Sequence, residues 1–428
     1  MQDYRLRCKF THIFFIVLTL LFSTQTFAQK ILIYMDLKQT DHLKAYGISY
    51  WALEHNINVE WLLNYRGGSF MLDYYPDIER ELRMRGVAYS LIDGSDLAQI
   101  YATIEENNME VVLLEKAPAI AIYAPPNKQA WDDAVMLALD YAEVPYTLIW
   151  DEEVILGKLQ EYDWLHLHHE DFTGQYGKFY ANYRNADWYR DEVAKNEEMA
   201  KKLGFSKVSE MKKAVARIIK DYVAKGGFLF AMCSATDTID LALAAENTDI
   251  AADVFDGDPA DPNAQKKLDY TKCFAFENFQ LETNPLLYEY SDIDIPPSYA
   301  PVLRGPEADY FTMFEFSAKY DPVPTMLTQD HAAVIKGFMG QTTGFRKNKI
   351  KKSVIVMAEA EGSEQVKYIH GNLGRGTFTF LGGHDPEDYQ HFVNDPPTQL
   401  SLHKNSPGYR LILNNILFPA AKKKKRKT

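Results

Sequence analysis

The feature that most constrains the fold is the segment 226–237, where an apolar run ends abruptly at a cysteine. The residues before Cys233 have the length of a buried strand, and an apolar helical pattern follows at once. A sharp strand-to-helix turn places its residue at the carboxyl edge of a sheet, with helix N–H groups behind it. This setting suits a reactive thiol, although a buried structural cysteine has the same local sequence. Cys233 is therefore a candidate nucleophile that needs partners from elsewhere in the chain.

Strand-like and helix-like segments alternate along most of the 428 residues. The apolar runs of strand length are 30–36, 58–63, 87–92, 111–114, 119–123, 146–149 and 162–169. Such alternation predicts an α/β fold with a parallel sheet. We place a boundary near Pro118, which gives an N-terminal α/β unit at 29–117 and a second α/β domain at 118–420.

The second domain is interrupted by an insertion at about 250–350. This region is rich in Tyr, Phe and Pro and predicts β-rich, loop-rich structure. Three more strands at 354–358, 365–370 and 376–381 and a final amphipathic helix at 409–417 follow it. Residues 421–428 form a basic tail, and a run of like charge is usually solvated.

The first 28 residues have the pattern of a secretory signal peptide. Three basic side chains precede an apolar core at 13–22, and small residues mark a cleavage site before Gln29. This pattern predicts a periplasmic or secreted protein that is not an integral membrane protein after cleavage. The mature chain then carries a net charge of −15, because the segment removed carries +2 of the total −13.

The acidic charge argues against nucleic acid as a partner, since phosphate binding needs a basic surface. A small molecule or a glycan is the expected partner. Only Cys233 and Cys273 follow the signal segment. Two cysteines cannot make a disulfide framework in a chain of this length, although they could form one bond that would silence Cys233.

Three predicted strand ends carry reactive side chains, and the carboxyl ends of parallel strands are where open α/β sheets bind ligands. One is Cys233. The second is His384, with Asp385 and Glu387 after it. The third is a polar cluster, and in a strand its first two histidines would share one face. The cluster comprises His166, His168, His169, Glu170 and Asp171.

The cysteine turn and the late strand ending at His384 resemble the class I glutamine amidotransferase-like fold, a flavodoxin-like architecture that includes trehalose-utilisation-like domains. The stretch from Gly374 to Asp385 is similar to theirs. The resemblance implies that Cys233 is a nucleophile, that His384 is its base and that Glu387 orients the imidazole. Glu387 follows His384 by three residues rather than two, so Asp385 or Asp388 could orient the ring instead.

The chain as a whole resembles an exported family labelled asparagine synthetase B, through residues 164–177, 338–343 and 384–390. The label implies glutamine hydrolysis from an N-terminal cysteine and aspartate activation by ATP on a Ser-Gly-Gly-x-Asp-Ser loop. The expected mature terminus is Gln29, and the segment 234–238 lacks both glycines that would admit a pyrophosphate. The residues therefore do not favour synthetase activity.

These observations favour an exported, amidotransferase-like, cysteine-dependent hydrolase of an amide or ester. One alternative is a metal-dependent enzyme, because the histidines and carboxylates of the 166–171 cluster, with His384, suit Zn²⁺ or Fe²⁺. Hydrogen-bonded core histidines explain the same residues, and we assign no metal ligand or cofactor from the sequence. Another alternative is a non-catalytic glycan-binding module built on the aromatic residues of 164–189, which equally suit plain packing. The acidic loop 256–263 is interpreted as solvated rather than as a Ca²⁺ site.

Overall fold

The computed structural model describes residues 29–126, 133–294, 309–389 and 392–421. The predicted signal peptide, 1–28, and the basic tail beyond Ala421 lie outside these ranges. Within them, no helix combines the length and the apolar composition needed to cross a membrane.

The described strands form two sheets. In chain order they are β1 Lys30–Ile33, β2 Val59–Leu63, β3 Ser69–Asp73, β4 Tyr89–Ile92, β5 Glu110–Leu114, β6 Ile120–Tyr123, β7 Thr147–Ile149, β8 Trp164–Leu167, β9 Phe228–Met232, β10 Tyr310–Met313, β11 Val334–Lys336, β12 Phe345–Arg346, β13 Ile355–Glu359, β14 Gln365–Leu373 and β15 Gly376–Leu381.

The α-helices of the same ranges vary from single turns to about five turns. They are α1 His42–Glu54, α2 Pro76–Arg85, α3 Gly94–Glu106, α4 Ala134–Ala142, α5 Asp151–Ile155, α6 Tyr180–Tyr183, α7 Asp187–Lys202, α8 Val208–Ala224, α9 Ala235–Ala244, α10 Asp253–Asp256, α11 Ala264–Lys267, α12 Pro322–Leu327 and α13 Pro407–Leu417.

The first sheet has the order β4-β1-β3-β2-β5 and is antiparallel throughout. The expectation of a parallel layer in 29–117 is therefore wrong. The reason is a hairpin between β2 and β3, which inserts β3 between β1 and β2. Its turn uses Arg66 at φ +49° and Gly67 at φ +77°, and a Cβ on Gly67 would lie 2.3 Å from the Met35 carbonyl oxygen. A glycine is required there because any side chain would collide with that backbone.

The second sheet contains the predicted parallel strands. Its order is β11-β10-β13-β14-β15-β9-β8-β6-β7, and β12 pairs with β14. The five strands β7, β6, β8, β9 and β15 run parallel to one another. Numbered along the chain, these five have the order 2-1-3-4-5. The mixed α/β class with a parallel-containing sheet is thus confirmed. Beyond β15 the sheet continues antiparallel through β14 and β13, which follow the insertion, to β10 and β11, which belong to it.

Helices cover both faces of the parallel strands. In β8, Trp164 packs in one hydrophobic cluster with α1, α4 and α13, whereas Leu165 and Leu167 pack in another with α8 and α9. This alternation follows from the two-residue period of a strand. Parallel strands buried on both faces in this way leave their ends as the sites for polar chemistry.

Arg410 on α13 joins the two sheets through a fully buried guanidinium. It donates hydrogen bonds to the carbonyl oxygens of Met35, at 3.0 Å, and Gly67, at 2.8 Å, both of the N-terminal unit. The same group lies 3.7 Å from the buried carboxylate of Asp330 and 2.9 Å from a ring nitrogen of His331. One cation thus satisfies acceptors from three separate segments.

We predict that Arg410→Met lowers the free energy of unfolding by about 3–5 kcal/mol, because it leaves the Asp330 carboxylate buried without its neighbouring cation and two buried carbonyls without their donor. Arg375→Met is the matched control; this arginine is exposed, and its loss should change stability by less than about 0.5 kcal/mol. Urea denaturation of both variants measures the difference. Equal stabilities of Arg410→Met and wild type would contradict the assigned role.

Candidate active site

Cys233 occupies the turn between β9 and α9 with a left-handed backbone, φ +50°. A residue other than glycine is rarely found in this conformation, and such strain concentrates at functional sites. The Cys233 N–H donates to the Gly383 carbonyl oxygen at 3.1 Å. This hydrogen bond joins the turn to the segment that follows β15, at the residue directly before His384.

Backbone N–H groups surround the Cys233 sulfur. The N–H of Gln341 donates to Sγ at 3.4 Å. The side chain is only 3% exposed, and burial raises the pKa of the thiol to about 11, against the opposing effect of the N–H groups of Gln341, Ser234 and Thr342. The resting thiol is thus neutral at pH 7. The backbone N–H groups around it could stabilise a negative charge that forms during a reaction.

His384 follows β15 and is almost fully buried. Its N–H donates to the Met339 carbonyl at 2.8 Å, which holds it against the same loop that contacts the Cys233 sulfur. Its ring lies edge-on to His168, with centroids 4.4 Å apart, and is stacked 5.9 Å from His169. The fold therefore brings His384 together with two of the histidines singled out from the sequence.

Glu387 and Asp385 have other partners. Glu387 Oε2 lies 2.9 Å from His403 Nδ1. Asp385 accepts hydrogen bonds from the Glu387 N–H, at 2.9 Å, and the Thr398 hydroxyl, at 2.7 Å. These contacts fix the loop after His384, and they give no support to the orienting role that the resemblance implied for Glu387.

His166, His168 and Asp133 form a buried polar cluster at the ends of β6 and β8. His166 Nε2 lies 3.3 Å from His168 Nδ1 and 3.4 Å from Asp133 Oδ2, and His168 Nδ1 lies 3.5 Å from Asp133 Oδ1. Both rings are fully buried. Burial lowers the pKa of His166, against the opposing effect of Asp133, so its ring is neutral at pH 7.

Glu170 and Asp171 follow the histidines in the chain, and their carboxylates accept hydrogen bonds from backbone N–H groups. Glu170 Oε2 accepts the N–H of His168 at 3.2 Å, and burial followed by the charge of Asp133 raises the pKa of Glu170 to about 8. Asp171 accepts the N–H groups of Thr173, Gln175 and Gly177 at 2.6–3.1 Å. Asp171 therefore shapes the loop after β8 rather than lining the cluster.

Two site residues were not predicted from the sequence, and Asp133 is the first. The search for reactive side chains was directed at strand ends, and Asp133 does not directly follow an apolar run of strand length. The described helix α4 begins at Ala134, and Asp133 caps it by accepting the N–H groups of Val135 and Met136. The available signal was an aspartate directly before an apolar periodic run, a common start of a helix.

Asp237, one turn into α9 from Cys233, is the second. Its carboxyl accepts the hydroxyl of Thr342 at 3.0 Å, so it positions the loop whose N–H groups face the sulfur. Burial raises the pKa of Asp237 to about 7, although the Thr342 hydrogen bond acts in the opposite direction. The sequence pattern treated this residue only as part of the segment 234–238.

The remaining candidates have plain structural explanations. Lys207 Nζ contacts Asp249, Asp256 and Asp258, so an ammonium group occupies the acidic loop. The aromatic side chains after β8 pack on one another; they are Tyr176, Phe179, Tyr183, Trp188 and Tyr189. Cys233 and Cys273 are both free thiols, so no disulfide silences Cys233.

We predict that iodoacetamide labels Cys233 slowly at pH 7 in the native protein. A pKa near 11 leaves about 100-fold less thiolate than an ordinary cysteine has, and only the thiolate reacts. The labelling rate should rise about tenfold per pH unit from pH 7 towards 10. Peptide mass spectrometry measures it, with Cys273, whose pKa burial also raises, as the internal comparison. Fast labelling of Cys233 at pH 7 would contradict a neutral thiol.

We predict that Asp237→Asn reduces the pH dependence of stability. Because the folded-state pKa of Asp237 is raised, its stabilising proton is fully bound below its unfolded pKa near 4, and this stabilisation is lost as pH rises to about 7. The wild type should lose on the order of 4 kcal/mol more than the variant between pH 4 and 8. Urea denaturation at both pH values measures this difference, and parallel profiles would contradict it.

Comparisons with known proteins do not place the chain in a family. No family model and no curated protein matches the sequence. Among solved structures, it is similar to Cytoplasmic Protein STM3548 from Salmonella typhimurium, with a TM-score of 0.35 and 11% identity over 72% of this chain and 100% of that one. It is also similar to Cytoplasmic Protein STM1381 from Salmonella typhimurium LT2, with a TM-score of 0.33 and 13% identity over 71% of this chain and 99% of that one. Likeness at this level establishes neither a common fold nor an activity.

Proposed function

We propose that the protein is a cysteine-dependent hydrolase of an amide or ester, with Cys233 as nucleophile and His384 as base. The observation that carries the proposal is the left-handed Cys233 at the end of β9, with its N–H bonded to Gly383 beside His384. A strained strand-to-helix turn is how hydrolases present a nucleophile. The strand order 2-1-3-4-5, which is that of flavodoxin-like sheets, supports the amidotransferase-like architecture.

The first half-reaction starts from a neutral thiol. As Sγ attacks the substrate carbonyl carbon, the thiol proton passes to the His384 imidazole, which removes the need for a preformed thiolate. The carbonyl oxygen becomes an oxyanion. Backbone N–H groups near the sulfur, from Ser234, Gln341 and Thr342, are the donors that stabilise it. The imidazolium then returns its proton to the leaving amine or alcohol as the carbonyl–leaving-group bond breaks.

The second half-reaction hydrolyses the thioester. Water attacks the acyl carbon while His384 accepts one of its protons, and the carbon–sulfur bond breaks. The proton returns to the Cys233 sulfur, and the product is a carboxylic acid. His384 acts once as base and once as acid in each half, so no further proton carrier is required.

The substrate is a small molecule or a glycan-linked amide or ester. The ring of Tyr288 is partly exposed, whereas burial and the nearby Cys233 raise the pKa of its hydroxyl. Its backbone carbonyl accepts a hydrogen bond from the Gln341 side chain. Tyr288 therefore lies near the sulfur and also reaches solvent. The proposal keeps the exported location that residues 1–28 predict.

We expect Cys233→Ala to reduce turnover to the uncatalysed background and His384→Gln to reduce kcat by about 10²–10⁴-fold, the usual contribution of a general base. Release of ammonia from glutamine and other small amides, and of chromophore from aryl esters, measures the activity. Cys273→Ala is the matched control, because it removes another buried thiol and should leave the rate close to wild type.

Wild-type turnover by Cys233→Ala on a substrate that the wild type hydrolyses would remove Cys233 as nucleophile. Mass spectrometry of protein quenched during turnover should also show the acyl group on the peptide containing Cys233. An acyl group on another residue would contradict the assignment.

A further inference from the structure

We propose that Asp133, His166 and His168 form a binding site for a single divalent transition-metal ion of the Zn²⁺ class. The Cys233 chemistry does not use Asp133 or His166, and the site stands on separate observations. Two imidazole nitrogens face the two oxygens of one carboxylate in the interior, where the two rings are fully buried and the Asp133 side chain is 7% exposed. Asp133, His166 and His168 can all reach one ion together.

The spacing of the three groups matches tetrahedral coordination. His166 Nε2 lies 3.3 Å from His168 Nδ1 and 3.4 Å from Asp133 Oδ2, whereas His168 Nδ1 lies 3.5 Å from Oδ1, the other oxygen of the same carboxylate. With Zn–N and Zn–O bonds of about 2.0–2.2 Å, neighbouring ligand atoms of a tetrahedral site are about 3.3–3.6 Å apart. One ligand atom from each of the three residues lies within 4.8 Å of the others, so the cluster has about the size that such an ion requires.

The hydrogen bond made by the far nitrogen of His166 sets its tautomer. Nδ1 lies 3.1 Å from the Phe230 carbonyl oxygen, which can only accept, so Nδ1 carries the proton in the neutral ring. Nε2 then presents a lone pair to Asp133 Oδ2, another acceptor. A cation between them removes this repulsion, and a backbone carbonyl on the opposite nitrogen is the usual support of a metal-binding histidine.

Asp133 is oriented in the same manner. Its Oδ1 accepts the N–H groups of Val135 and Met136 at 2.8 and 2.9 Å, where it caps α4. These bonds fix the carboxylate so that Oδ2 faces His166. A charged ligand held at a helix start does not have to be reorganised when the ion arrives.

The cluster also lies where the topology favours a ligand. The chain runs from β6 to β7 on one side and later from β8 to β9 on the other, so the strand order reverses between β6 and β8. Open α/β sheets bind ligands at the carboxyl ends of the strands beside such a reversal. Asp133 follows β6, whereas His166 and His168 lie at the end of β8.

Three protein ligands leave one position of a tetrahedral ion open, which is the arrangement of catalytic rather than purely structural zinc. The His168 carbonyl accepts the N–H of Ala235, two residues after Cys233. The ion would therefore lie at the same sheet edge as the thiol, within the reach of one substrate.

The test is metal uptake by untagged full-length protein. After removal of metal with a chelator, the wild type should take up about one equivalent of Zn²⁺ by elemental analysis, as expected for one such site. Asp133→Asn keeps the helix cap but removes the charge, and His168→Gln removes a nitrogen ligand. Each should weaken Zn²⁺ affinity by more than the ~10–100-fold that follows loss of a residue that only supports a ligand.

His370→Gln is the matched control. His370 is a buried histidine of β14 that contacts Thr379 and lies outside the cluster, so its variant should bind Zn²⁺ like the wild type. Circular dichroism and thermal unfolding establish that each variant is folded. Co²⁺ replaces Zn²⁺ as a spectroscopic probe, and the wild type should show the intense visible absorption of tetrahedral Co²⁺ that Asp133→Asn loses.

The proposal is overturned if the wild type takes up no Zn²⁺, or if folded Asp133→Asn and His168→Gln bind it as tightly as the wild type does. Uptake equally weakened in His370→Gln would also overturn it. The metal-site proposal and the hydrolase proposal are tested independently. Cys233→Ala should retain the full Zn²⁺ content, whatever the activity assays show.

Discussion

The in-register parallel pairing of β6, β8, β9 and β15 is the constraint on which the rest of the structure depends. Ile122 pairs with His166, His166 with Phe230, and Phe230 with Thr379, so the ends of the four strands lie side by side. Because these strands all run in one direction, the residues that follow them leave the sheet at the same edge. That single fact brings the cysteine turn, the His384 segment and the histidines of β8 together from positions more than 200 residues apart in the chain.

The parallel half of the fold could be predicted from the sequence because buried parallel strands are continuous apolar runs bounded by turns. The antiparallel pairing of the N-terminal unit could not be predicted, since its strands have the same apolar composition as the parallel strands of the second sheet. The glycine turn at Gly67 gave no indication that a hairpin strand follows it. The pairing of β1 with β3 depends on contacts across the chain rather than on local pattern. The same limit applies to Arg410, whose partners come from three distant segments.

The part of the candidate site that lies at strand ends could be predicted, because strand ends can be recognised in the sequence. Cys233 and His384 each follow an apolar run that stops abruptly. His166 and His168 are two residues apart, so a strand places them on the same face. Asp133 could not be found in this way, because its role depends on the spatial closeness of β6 and β8. Glu387 received its orienting role from the resemblance, and that role stays a prediction; its carboxylate oxygen Oε2 lies 2.9 Å from His403 Nδ1.

The central claim is that a thiol on a strained turn and an imidazole from the neighbouring strand end act on one carbonyl group. A crystal structure of the protein with a peptide or amide aldehyde, which reacts with a nucleophilic thiol, tests it most directly. The account predicts a covalent bond from Cys233 Sγ to the aldehyde carbon, with the new oxygen in hydrogen-bond contact with the backbone N–H groups or with the His384 ring. An unmodified Cys233 in crystals that contain the bound aldehyde would contradict the account.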